Sequence, residues 1–127
     1  MELDKRIVEY ANIIIGDANG LLSDAKNLTE QQQQFVSRIS AAAERLILTN
    51  DQYSWRPLPT DDVASQDLLL VVVHDLRMPV ALMLGYRDVL EQFEDISSWS
   101  EKEVATLHHI GEQLSMIEEV LTDFSNR

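Results

Sequence analysis

Apolar residues at Leu69, Val73, Leu76, Val80, Met83 and Leu90 are spaced alternately by four and three, with one step skipped at Arg87. Such a spacing is the seam of an amphipathic helix that packs in a bundle. The pattern recurs at Leu107, Ile110, Leu114, Ile117, Leu121 and Phe124, and again at Val36, Ile39, Ala43, Leu46, Asn50 and Tyr53. The run from Leu68 to Val73, taken alone, has the β-branched content of a buried strand; its continuity with the longer stripe decides for helix. Start signals agree, because Thr29 with Gln32 and Ser100 with Glu103 both have the Ser/Thr-x-x-Glu/Gln spacing of a capping box, and Trp99 is placed to staple onto Val104. Pro57-Leu58-Pro59-Thr60-Asp61 breaks the chain, since proline cannot continue a helix and restrains the residue before it. Four helices are predicted, over about 2–24, 29–54, 62–94 and 100–126.

The four segments form a repeat. Ile13-Ile14-Ile15-Gly16 lies over Leu82-Met83-Leu84-Gly85 at an offset of 69 (85 − 16), and Asp51-Gln52-Tyr53-Ser54-Trp55-Arg56 over Thr122-Asp123-Phe124-Ser125-Asn126-Arg127 at 71 (122 − 51). Leu28-Thr29-Glu30 meets Trp99-Ser100-Glu101 at that second offset, so a hairpin loop two residues longer in the second copy explains the slip. A helical hairpin alone leaves its apolar face wet, so two must pack together. The expected fold is therefore all-α: an antiparallel four-helix bundle of two tandem hairpins in one domain, 1–127, with hairpin one at 1–56, a linker at 57–61 and hairpin two at 62–127. A single chain closing its own core is expected to be a monomer, with a homodimer of the whole chain as the alternative.

Composition narrows the function. The net charge of −12 argues against nucleic acid, whose phosphates need clustered Lys and Arg. Residues 1–58 carry 8 acidic and 6 basic side chains, a net −2, whereas residues 59–127 carry 14 and 4, a net −10. That asymmetry fits a solvated helical surface, or, more sharply, a basic partner. With no cysteine there are neither disulfides nor thiolate metal sites, and a cytoplasmic setting is expected. The longest uninterrupted apolar run, Leu68 to Val73, is six residues against the roughly 20 of a membrane helix, and Met1-Glu2-Leu3-Asp4-Lys5 does not read as a signal peptide. Neither membrane nor cofactor is expected. His108 and His109 are adjacent and diverge around a helix with no partner at i+4, so no metal site is assigned to them. The glutamines from Gln31 to Gln34 read as a solvated first turn, Met78, Met83 and Met116 as packing residues, and Trp55 as an anchor for the linker.

The candidate chemistry lies at His74-Asp75-Leu76-Arg77-Met78-Pro79. A neutral imidazole near pH 7 is a nucleophile that can accept and pass on a phosphoryl group. An adjacent carboxylate can orient the ring through its other N–H and stabilise the charge that develops on it. His74 falls about 100° around the helix from Val73, beside the buried stripe and in reach of water. Pro79 has no amide hydrogen to give residue 75, so the helix is expected to kink or loosen near His74. Without its neighbours His74 would be an ordinary exposed helix residue, and Asp75 and Arg77 ordinary surface charges.

These six residues, followed by Val80-Ala81-Leu82-Met83-Leu84-Gly85-Tyr86, resemble the phosphoacceptor box of the dimerisation and histidine-phosphotransfer domain of sensor histidine kinases, whose pattern is His, acidic, aliphatic, basic, any residue, Pro. The segment Leu114 to Arg127 resembles that family's closing helix. In the first hairpin Lys5 stands where the second has His74, so only one copy could carry phosphate. The resemblance implies His74 as phosphoacceptor, Asp75 as its supporting carboxylate, and Arg77, Met78 and Ala81 as partner-binding residues. It also implies a response-regulator receiver domain or a separate histidine kinase as partner. Two departures matter. Family members that also dephosphorylate their partners usually carry Thr or Asn four residues after the histidine; Met78 stands there and cannot position a water by hydrogen bonding. The chain also contains no glycine-rich phosphate loop, its four glycines lying singly in predicted helices, so it is not expected to make phosphohistidine from ATP unaided. The functional expectation is a phosphotransfer module relaying phosphate between His74 and a receiver aspartate. The alternatives are a non-catalytic adaptor or inhibitor that keeps the bundle for binding, and a piece of a longer sensor kinase.

Overall fold

The computed structural model describes residues 5–54 and 63–126; the predicted linker Pro57–Asp61 and Trp55 lie outside them. Four helices run in order: α1 Lys5–Ser23, α2 Glu30–Ser54, α3 Val63–Gln92 and α4 Glu101–Ser125, with one short 3-10 turn at Ala25–Asn27 before α2. The described residues contain no strand, so the strand-like run Leu68–Val73 is helical, as its place on the stripe requires. Helix α1 packs on α2 and α4, and α3 packs on the same two, which makes a square bundle with α1 and α3 on one diagonal. Cross-links fix the directions: the start of α2 meets the end of α3 through Gln32 and Asp95, while the end of α1 meets the start of α4 through Asp17 and His109. Neighbouring helices are thus antiparallel. The protein is an all-α four-helix bundle.

The core is built from the predicted stripes. All six positions of the α3 seam and all six of the α4 seam are buried, as are Val36, Ile39, Ala43, Leu46 and Asn50 of α2; Tyr53 is half-buried. Helix α1 adds Ile7, Ala11, Ile14, Ala18 and Leu21, which the 69-residue offset places over Leu76, Val80, Met83, Arg87 and Leu90. The two hairpins therefore bury matching positions. Arg87 is the one charged residue among these ten, and it reaches out of the core across Gly111, where an added Cβ would lie 2.6 Å from its Nη1, to pair with Asp88 at 2.7 Å.

Both capping boxes form, and each also stitches the hairpins together. Gln32 Oε1 accepts from Thr29 N at 3.0 Å while Gln32 N donates to Thr29 Oγ1 at 3.1 Å; Glu103 and Ser100 make the same reciprocal pair. Gln32 Nε2 donates to the Asp95 carbonyl at 2.9 Å, and its Oε1 accepts from Trp99 Nε1 at 3.0 Å. The expectation of a solvated glutamine turn fails at Gln32, which is buried because its amide satisfies three groups at once. At the matching place Glu103 Oε1 accepts from Asn27 Nδ2 at 2.7 Å. Burial raises the Glu103 pKa, but the hydrogen bonds from the Ser100 backbone and from Asn27 outweigh it and hold the carboxyl below its ordinary value.

Pro79 lies inside α3, which continues as helix from Val63 through Gln92. One further expectation changes. The count of uninterrupted apolar residues understates this helix, because residues 67–92 are long and apolar enough, by composition, to cross a membrane. Its length of apolar surface is accounted for inside the bundle in part, where Leu69, Val72, Val73, Leu76, Val80, Met83 and Leu90 are buried.

Candidate functional site: the histidine face of α2 and α3

One turn of α3 carries His74, Asp75 and Met78 on the side away from the core. Val73 and Leu76 point inward and are buried, which turns His74 outward with 72% of its side chain exposed. Asp75, at 40% exposure, leans toward α2. There Tyr53 Oη donates to Asp75 Oδ2 at 2.5 Å, and the carboxylate's other oxygen, Oδ1, lies 3.5 Å from His74 Nδ1, at the outer limit of a hydrogen bond. The Tyr53 hydroxyl is the main reason that Asp75 titrates below the ordinary carboxylate range; desolvation opposes it, and His74 adds a smaller lowering. Asp75 is therefore ionised at neutral pH and can only accept hydrogen bonds.

The surroundings are unusually apolar for solvent-facing helix. Leu70, Val71, Met78 and Leu82 of α3 are exposed around His74, and Leu48 of α2 is 64% exposed. Ala81, Arg77 and Arg45 are exposed beside them. Arg45, Leu48, Thr49, Gln52, Asp75 and Met78 line an open cleft of about 390 Å³ between the two helices. The candidate partner-binding residues Arg77, Met78 and Ala81 thus share one surface with His74 and Asp75. Met83 packs in the core as expected, whereas Met78 and Met116 are exposed, because both lie off the buried stripe.

On the opposite face the α1–α4 pair forms an equivalent hollow of about 450 Å³, lined by Arg6, Tyr10, Met116, Glu119, Thr122 and Asp123 among others. Its residues correspond to the first cleft through the repeat: Arg6 to Asp75, Met116 to Arg45, Glu119 to Leu48 and Asp123 to Gln52. The scaffold is shared and the chemistry is not. Phe124 takes the place of Tyr53, and Lys5 that of His74, so hydroxyl, carboxylate and imidazole occur together on the α2–α3 face and are replaced together on the other.

The remaining histidines have different settings. His109 Nδ1 lies 2.5 Å from Asp17 Oδ2 across the α1–α4 interface, and Gln113 Nε2 is 3.3 Å from its other nitrogen. His108 is exposed, with Nε2 3.8 Å from Glu91 Oε1. Among the described residues no group of three His, Cys, Asp or Glu side chains is arranged to hold a metal.

Sequence reasoning missed Tyr53, which it read as a core position only, and the exposed leucines. The signals were present: a tyrosine where the repeat has Phe124, and apolar residues at Leu70, Val71 and Leu82 in excess of the buried stripe. No protein-family model matches the chain, and no curated protein or solved structure matches it either.

Proposed function

We propose that this bundle is a histidine phosphoacceptor module of two-component signalling, exchanging phosphate between His74 and the aspartate of a receiver domain. The observation that carries the reading is an exposed imidazole, backed by an ionised carboxylate, at the centre of an exposed apolar strip. Contiguous exposed apolar residues on one face mark a docking surface. Here Leu48, Leu70, Val71, Met78 and Leu82 would meet the partner's backbone and side chains, while Arg45 and Arg77 complement an aspartyl phosphate. The resemblance of the His74 segment to the phosphotransfer domain of sensor kinases supports the same conclusion, and a cytoplasmic setting goes with it.

A chemical division of labour follows. His74 supplies the attacking nitrogen, Asp75 holds the ring and faces the positive charge on the phosphorylated imidazole, and a separate kinase or phosphorylated receiver supplies the phosphoryl group. The exposed strip alone also suits an adaptor that binds a receiver and takes no phosphate. To separate the two, receiver domains carrying aspartyl phosphate are mixed with the protein and the loss of their acyl phosphate is followed. Accelerated loss with the wild type and none with His74→Gln supports transfer. Tight binding by both, with no loss from either, establishes the adaptor.

A further inference from the structure

We infer that Tyr53 is a positioning residue for His74: its hydroxyl, delivered from α2, fixes the Asp75 carboxylate so that Oδ1 holds the imidazole by Nδ1–H and leaves Nε2 as the phosphoacceptor nitrogen. This deepens the proposed function and rests on it for the identity of the acceptor. Three observations carry it. The Tyr53–Asp75 contact of 2.5 Å is the short one, and it joins α2 to α3. It engages Oδ2 alone, which leaves Oδ1, 3.5 Å from Nδ1, to face the ring. At the equivalent place on the other face the hydroxyl is missing with the rest, since Phe124, Arg6 and Lys5 stand for Tyr53, Asp75 and His74.

The chemistry is that of an oriented imidazole. An ionised carboxylate has no hydrogen to give, so a nitrogen beside it is favoured in its N–H form, and in a neutral ring the other nitrogen then bears the lone pair. Without the hydroxyl the Asp75 side chain, open to water on its far side, can rotate away from the ring. Tyr53 removes that freedom through its hydrogen bond to Asp75. The device also links the two hairpins at the reactive residue, because α2 belongs to one and α3 to the other.

A small phosphoryl donor tests this without any partner protein. In the reaction with phosphoramidate, Nε2 attacks phosphorus, the P–N bond breaks, and ammonia leaves with its three hydrogens; Nδ1 keeps its own hydrogen, facing Asp75. His108, exposed and in the same molecule, serves as the internal reference. The rate at His74 relative to His108 and the 15N shifts that report the tautomer of the neutral His74 ring are measured for the wild type, Tyr53→Phe and Asp75→Asn. Phenylalanine suits the site sterically, as Phe124 does in the repeat, and thermal melts check that the bundle is intact. The expected result is a predominantly Nδ1–H ring in the wild type, with Tyr53→Phe moving the tautomer ratio toward that of Asp75→Asn and lowering the relative rate roughly fivefold, the size of one net hydrogen bond. If Asp75→Asn changes both readouts and Tyr53→Phe neither, Asp75 acts alone and the inference is overturned. If neither variant changes either readout, the carboxylate has no hold on the ring and the inference falls as well. Changed tautomer and rate in both variants, in a protein that takes no phosphate from receivers, would leave the positioning role standing and defeat only the phosphotransfer reading.

Discussion

The Asp17 carboxylate holds His109 at 2.5 Å across the α1–α4 interface, at the positions where Tyr86 and Arg38 meet across the α2–α3 interface. The repeat relates the pairs directly, Asp17 to Tyr86 and Arg38 to His109, and the second pair has the guanidinium carbon 5.8 Å from the ring centroid. One scaffold position thus accepts a carboxylate–imidazole contact on one side and a cation–π contact on the other. It is a site of interhelical adhesion in both copies, which separates His109 in role from His74. His109→Gln is expected to leave phosphate transfer to His74 unchanged and to lower stability by about 1 kcal/mol or less, as for a partly exposed polar pair. Parallel thermal melts and transfer assays check both halves of that statement.

Acid should weaken the stitch between the hairpin loops. Glu103 has a folded pKa below its ordinary value of 4.5, so its contribution is present above that value and is lost as pH falls through the lower, folded one. Glu103→Gln keeps an acceptor for Ser100 N and Asn27, as Gln32 does for its own cap, but cannot be protonated. The stability advantage of wild type over Glu103→Gln is therefore expected to shrink as pH drops below about 4.5, and denaturant titrations across that range measure it. An advantage that grows on acidification would reverse the sign. Glu103→Ala, which strips both bonds, should cost about 2 kcal/mol at neutral pH.

Asn50 occupies a buried seam position where the repeat has Leu121, and its Oδ1 has no hydrogen-bond partner among the described residues. Burying an unsatisfied amide oxygen costs stability. Asn50→Leu is expected to stabilise the bundle by about 1 kcal/mol or more, read as a rise in denaturation midpoint at unchanged slope. A loss of stability would show that the amide specifies the alignment of the helices, as a lone buried Asn can in coiled coils.

Gly111 and Arg87 are coupled by space. An alanine Cβ at 111 would meet Arg87 Nη1 at 2.6 Å and Cδ at 3.2 Å. Replacing glycine by alanine in a helix is otherwise worth up to about 1 kcal/mol. In an Arg87→Ala background, Gly111→Ala should realise that gain, and in the wild type it should realise less, because the guanidinium must move. A double-mutant cycle with zero coupling would contradict the packing described.

Much of this was legible in the chain. The heptad-like stripes located α3 and α4 to within two residues at each end, and the Ser/Thr-x-x-Glu/Gln spacing located both capping boxes, because a local pattern and a local hydrogen bond set those features. His74 faced water as its angle from Val73 required. What the chain did not disclose depends on which helix lies against which. Tyr53 is 22 residues from Asp75 and Asp17 is 92 from His109, and no periodicity within one helix pairs them. Gln32 was misread for the same reason: its cap was visible locally, while Trp99 and the Asp95 carbonyl, which bury it, come from the other hairpin.

The most direct test of the central claim is to map phosphate on this chain after exposure to a phosphorylated receiver domain, under alkaline handling that preserves phosphohistidine. The account predicts acid-labile phosphate at up to one per chain, confined to His74, absent from His108 and His109, and abolished by His74→Gln with stability changed by less than about 0.5 kcal/mol. Phosphate on His108 or His109 to the same extent, or a receiver that binds firmly and leaves His74 unmodified, would contradict it.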